Sequence, residues 1–150
     1  MLNWGMIFVK WIDNIVLGLI ERYGSNNVYE LCDALNIKII NLNPNNILLK
    51  NKEAFYYRDM GSKEIIFIRN NFEPLFEEFI LKHELGHALC HPKLLYAGYS
   101  NTGKLEREAN YFALKLSNIK FDKIELEGMT FEQIATYMNV PFDILKQWKG

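Results

Sequence analysis

His83-Glu84-Leu85-Gly86-His87 is the stretch on which the reading of this 150-residue chain turns. It has the form H-E-x-x-H and lies late in an apolar, helix-patterned run from about Phe72 to Pro92. Residues four apart on an α-helix share one face about one turn apart, so His83 and His87 can aim their imidazoles at one ion. Glu84 falls between them in angle, where its carboxylate can reach a water held by that ion. Two neutral imidazoles, an open position and a neighbouring carboxylate are what a catalytic zinc needs, with the Glu as general base. A chain with three histidines in 150 residues contains this pattern by chance roughly once in two hundred. The bland alternative, an exposed helix with incidental histidines, also sits poorly with the apolar neighbours Leu85, Ala88 and Leu89. Gly86 in mid-helix costs about 1 kcal/mol relative to Ala unless something packs close against it.

A third protein ligand is needed. The metzincin pattern places Gly three and His six residues beyond the second His, but Cys90 and Lys93 stand there. His91 lies four beyond His87, yet three histidines at i, i+4 and i+8 span about 12 Å of helix, too far to meet on one ion. It reads instead as a helix-end histidine favoured by the C-terminal dipole. A carboxylate on the next helix, Lys104 to Ala113, is the better candidate. The apolar face of that helix is Leu105, Ala109, Phe112 and Leu116. Glu106 borders it beside the small Ala109 and Ala113, which permit close approach to the histidine helix. Glu108 borders it on the other side, and periodicity alone leans only modestly toward Glu106. Asn110, four beyond Glu106, is placed to orient a ligand histidine.

These two segments together resemble the ImmA/IrrE-type metallopeptidases, whose pattern is H-E-x-G-H followed by E-x-[EQ]-A-[ND]-x-F-A. The second half matches Glu106-Arg107-Glu108-Ala109-Asn110-Tyr111-Phe112-Ala113, and the likeness runs from about Val28 to Lys146. The resemblance, shared with gluzincins generally, implies Glu106 as third zinc ligand, with Asn110 in the supporting position. It also implies that an edge strand beside the metal pairs with extended substrate.

The rest of the chain reads as a single α+β domain over residues 1–150: a small antiparallel or mixed sheet on a helical bundle. The hydrophobic content of 49% supports a packed core, and a net charge of -1 leaves no polybasic surface for nucleic acid. The apolar stretch Met1 to Gly24 is interrupted by Lys10, Asp13 and Asn14 and precedes no small-residue cleavage site. Phe8, Trp11, Ile12, Ile15, Leu19 and Tyr23 trace an amphipathic helix ending at Gly24, so no membrane segment is expected. Asn26 or Asn27 caps a helix from Val28 to Leu35, stopped by Asn36. Ile37 to Leu42 reads as a strand, and Asn43 to Asn46 as a turn. Residues 54–58 and 64–69 flank a hairpin loop containing Gly61. Asn71 or Glu73 starts the histidine helix, with Pro74 in its first turn. Cys32 and Cys90 read as reduced core thiols. Tyr96 and Tyr99 receive no role. Residues 129–148 have helix-turn-helix spacing, but only Lys146 and Lys149 as cations on the second helix. A packed helical pair is expected there, with no direct nucleic-acid binding.

The expected activity is a cytoplasmic, zinc-dependent endopeptidase with His83, His87 and Glu106 on the metal, Asn110 behind them and Glu84 as base. By the resemblance, the protein substrate is a helix-turn-helix repressor of a phage, mobile element or stress regulon. The alternative is a non-catalytic metal protein that binds a repressor or a toxin. Intact Glu84 argues for the enzyme, since a purely structural site needs no base.

Overall fold

The computed structural model describes residues 10–92, 103–117 and Gln133. Helix α1 (Lys10–Tyr23) and helix α2 (Val28–Ala34) lead into strand β1 (Ile37–Leu42). A short 3-10 turn (Ile47–Leu49) precedes the hairpin of β2 (Ala54–Arg58) and β3 (Glu64–Arg69), and helices α3 (Pro74–Cys90) and α4 (Gly103–Leu116) follow. The fold is α+β. Apart from Gln133, the helical pair expected over 129–148 lies outside the described residues, as do Phe8, Tyr96 and Tyr99.

Local chemistry explains most boundaries. Gly24, at φ +66°, ends α1. The Asn27 side chain accepts from the N–H groups of Tyr29 and Glu30, satisfying two donors at the start of α2. Asn36, at φ 60°, then turns the chain into β1. The Asn46 side chain accepts from Leu48 N–H and nucleates the 3-10 turn, which the sequence pattern had not marked. The hairpin loop contains Gly61 as expected, and its left-handed residue is the neighbouring Ser62, at φ 64°. Asp59 makes this tolerable: its carbonyl accepts from Ser62 N–H and its carboxylate from Lys63 N–H.

The sheet order is β1-β3-β2, with β1 parallel and β2 antiparallel to β3. The central strand β3 buries Ile65, Ile66 and Ile68, so it does not alternate strictly. One correction concerns α1. Its buried stripe is Ile12, Val16 and Leu19, whereas Trp11, expected on the inner face, is 43% exposed. Leu31, Leu81, Leu85, Phe112, Leu114 and Leu116 complete the interior with the sheet isoleucines.

Three tethers position the last two helices. Tyr111 donates to Asp13 on α1 at 2.7 Å, and Lys82 on α3 donates to Ser117 at 3.0 Å. Arg58 at the end of β2 donates to the Ala88 and Pro92 carbonyls at 2.9 and 2.6 Å, and pairs with Glu64 at 3.2 Å. A guanidinium on the Ala88 carbonyl satisfies an orphan acceptor in the last turn of α3 and complements the helix dipole. It also locks the edge strand β2 to the helix that carries the histidines.

Cys32 and Cys90 are free and buried, and burial pushes both thiols up to about 12. At pH 8 that leaves roughly one thiol in 10⁴ ionised, and the thiolate is the reactive form. Neither cysteine should therefore react with a disulfide reagent in the folded protein, while both react after denaturation in guanidinium. Rapid stoichiometric labelling of native protein would contradict this burial.

Candidate metal centre

Glu73 holds the N-cap position of α3 without a side-chain hydrogen bond to the first turn, and Pro74, preset for the first helical position, marks where the helix begins. From Phe79 to Ala88 the helix is buried on nearly every side, so two histidines and a glutamate are carried into the interior. His83, Glu84 and His87 are each 8% exposed. Their ligand atoms all lie within 4.8 Å of one another.

Helix α4 brings the third candidate ligand, a carboxylate. Glu106 Oε2 lies 2.9 Å from His83 Nε2, and Glu106 Oε1 lies 3.2 Å from His87 Nε2. Two donors on a tetrahedral zinc, at bonds of about 2.0–2.1 Å, stand roughly 3.3 Å apart. Both Glu106 distances lie within a few tenths of an ångström of that spacing. Glu84 Oε2 sits close by, 3.8 Å from His83 Nε2. Of the expected site residues, His83, Glu84, His87, Glu106 and Asn110 are therefore all brought together.

Close helix approach makes this geometry attainable. A Cβ on Gly86 would stand 3.1 Å from the Ala109 carbonyl oxygen, 3.1 Å from Phe112 Cδ1 and 3.2 Å from Ala109 Cα. Glycine on α3 and alanine on α4 thus meet at the crossing, three residues along α4 from Glu106.

Hydrogen bonds orient the rings. His83 Nδ1 lies 2.5 Å from Asn110 Oδ1, and an amide oxygen can only accept, so Nδ1 carries the proton and Nε2 faces Glu106. Burial alone would lower the His83 pKa, but the contact with Glu106 and the charges of Glu84 and Glu106 outweigh it, and the net shift is upward. Burial would raise Glu106. The hydrogen bonds from His83 and His87 dominate and hold it well below the usual carboxylate range. A cation and a proton compete for the same Nε2, so metal uptake here releases protons.

Two residues do more than their sequence positions promised. His91 caps the end of α3 and is buried, with its Nδ1 3.0 Å from His87 Nδ1 and its Nε2 3.0 Å from Glu108 Oε1. Burial lowers its pKa despite the Glu108 contact. It is a helix-end histidine as expected, and it is also wedged between His87 and Glu108 of α4. The available signal was the repeat of His at i+4 after His87, with a second carboxylate on the far border of the α4 face.

Residues 32–147 match the family model of a peptidase family described as the IrrE N-terminal-like domain. The chain belongs to this family. It is 34% identical over 145 residues to metallopeptidase ImmA of Bacillus subtilis (strain 168), covering 88% of this chain and 80% of that protein. It is 30% identical over 133 residues to uncharacterized immunity region protein 2 of Bacillus phage phi105, covering 84% of this chain and 81% of that one. No solved structure gives a significant match. Membership in this metallopeptidase family implies a divalent metal, and the His83–Glu84–His87 group is a site that could hold one. No described helix is long and apolar enough to cross a membrane.

The crossing yields a direct test. Gly86→Ala gains about 1 kcal/mol of helix propensity, but overpacking against backbone typically costs about 1–3 kcal/mol. Thermal unfolding in the presence of chelator should show a lower Tm, and zinc titration should show weaker binding, because the helices move apart. An unchanged or raised Tm with wild-type affinity would refute the close-approach argument.

Proposed function

We propose that this chain is a zinc-dependent endopeptidase of the cytoplasm that cuts a specific regulatory protein. The observation that carries the reading is the convergence of His83, His87 and Glu106 beside Glu84 where two helices meet. Two imidazoles and one carboxylate with room for a further ligand are a catalytic zinc set. When bound, zinc supplies Lewis-acid polarisation of the scissile carbonyl and acidifies the attacking water.

The residues of the chain do the rest. Asn110 holds the His83 ring with Nε2 turned inward, and Glu106 bridges the two imidazoles from α4. Glu84 accepts the proton of the attacking water and returns it to the leaving amine. The β2 strand lies at the sheet edge, and its Arg58 is tied to the end of α3. An extended peptide added along that edge would run beside the histidine helix.

The substrate class rests on the relatives. One bears the name metallopeptidase ImmA and another comes from a phage immunity region. A helix-turn-helix repressor of a phage or mobile element fits that setting, and the resemblance read in the sequence implies the same.

Glu84→Gln should leave the fold and zinc content intact and abolish cleavage of a helix-turn-helix repressor offered as substrate. Gln matches Glu in size and still hydrogen-bonds water but takes no proton, and losing a general base costs about 10²–10⁴ in rate. Wild type and mutant are incubated with the repressor and examined for a discrete fragment. If both relieve repression equally and no fragment appears, the chain acts by binding and not by proteolysis.

A further inference from the structure

His87 and His91 present a problem of protons. Their Nδ1 atoms lie 3.0 Å apart, and a hydrogen bond between two ring nitrogens needs the proton on one of them only. The far nitrogen of His91, Nε2, lies 3.0 Å from Glu108 Oε1. A carboxylate accepts and does not donate, so His91 carries its proton on Nε2 and keeps Nδ1 as an acceptor. His87 must then donate from Nδ1. In the neutral ring this leaves the lone pair on Nε2, the nitrogen that stands 3.2 Å from Glu106 Oε1.

We propose that His91 and Glu108 form a positioning relay that sets the tautomer and ring angle of His87 for metal binding. The inference rests on the metal-site reading above and deepens it. His83 receives the same service in one step from the Asn110 amide oxygen, which cannot donate. His87 receives it in two steps, because the ring of His91 is ambivalent until Glu108 fixes it. Burial supports a built arrangement: the side chain of His91 is 6% exposed and that of Glu108 is 13% exposed. Glu106, Glu108 and Asn110 stand two apart along α4, so one turn of helix serves both metal-facing histidines. An outer partner that orients a ligand histidine typically changes metal affinity by about 10- to 100-fold.

The test separates orientation from mere packing. Asn places Oδ1 at the same bond distance from Cβ as His Nδ1 and accepts without any help from Glu108. His91→Asn should therefore hold zinc within about 3-fold of wild type, whereas His91→Leu should lose about 10- to 100-fold in a chelator-competition titration. Glu108→Met should weaken zinc binding in the wild-type background and have no effect in the His91→Asn background, because Glu108 acts only through His91. A residue that merely glued α3 to α4 would not show rescue by Asn. Nitrogen-15 spectra of the histidine rings in the full chain give a second readout, independent of zinc affinity. They should show His91 as the Nε2–H tautomer and His87 with a proton on Nδ1.

Wild-type affinity in His91→Leu, an Nδ1–H tautomer at His91, or an undiminished Glu108→Met effect beside His91→Asn each overturns the relay. A wild-type protein that binds no zinc, or a Glu106→Gln variant that binds it normally, overturns the metal reading and the relay with it. Normal wild-type binding, its loss in Glu106→Gln and no effect of His91→Leu overturn the relay alone.

Discussion

The contact between Gly86 on α3 and Ala109 on α4 is the constraint from which the site follows. Metal ligands tolerate errors of only a few tenths of an ångström, and Glu106 reaches both His83 and His87 only if the two helices cross almost backbone to backbone. A side chain at position 86 would occupy space held by the Ala109 carbonyl and the Phe112 ring. The surrounding fold keeps the crossing in register. Tyr111 is tied to α1 through Asp13, Lys82 to Ser117, and Arg58 fixes the end of α3 to the sheet.

Charge balance is the second constraint. Glu84, Glu106 and Glu108 lie within one largely buried cluster with three histidines. Isolated carboxylates in such surroundings are costly, so each must find a donor or a cation. Glu106 has two imidazoles and Glu108 has His91, while Glu84 stands beside His83. A divalent cation among His83, His87 and Glu106 would complete the balance, with the Glu84 carboxylate beside it.

Much of this was legible in the chain because its signals are local. The H-E-x-x-H spacing, the caps at Asn27 and Glu73, β1 and the hairpin strands are each written within a few residues of where they act. The packing face of helix α1 was less legible. Trp11 counts as core by hydrophobicity, yet the stripe that packs is Ile12, Val16 and Leu19, because burial follows the angle of the neighbouring helices. The link from Glu108 through His91 to His87 left only a partial mark, the His four beyond His87 and the second carboxylate on the far border of α4. It depends on how far α4 slides along α3, which periodicity within either helix cannot specify. The left-handed Ser62 is a similar case: Asp59 stabilises a backbone conformation that composition would assign to Gly61.

The central claim is that one zinc ion sits between α3 and α4 on His83, His87 and Glu106. An anomalous difference map from crystals of the zinc-loaded protein, recorded at the zinc absorption edge, tests it most directly. The account predicts one strong peak within bonding distance, about 2.0–2.2 Å, of His83 Nε2, His87 Nε2 and the Glu106 carboxylate, with Glu84 nearby and unbound. A peak coordinated by His91 or Glu108, or one at the surface with Glu106 turned away, would contradict it.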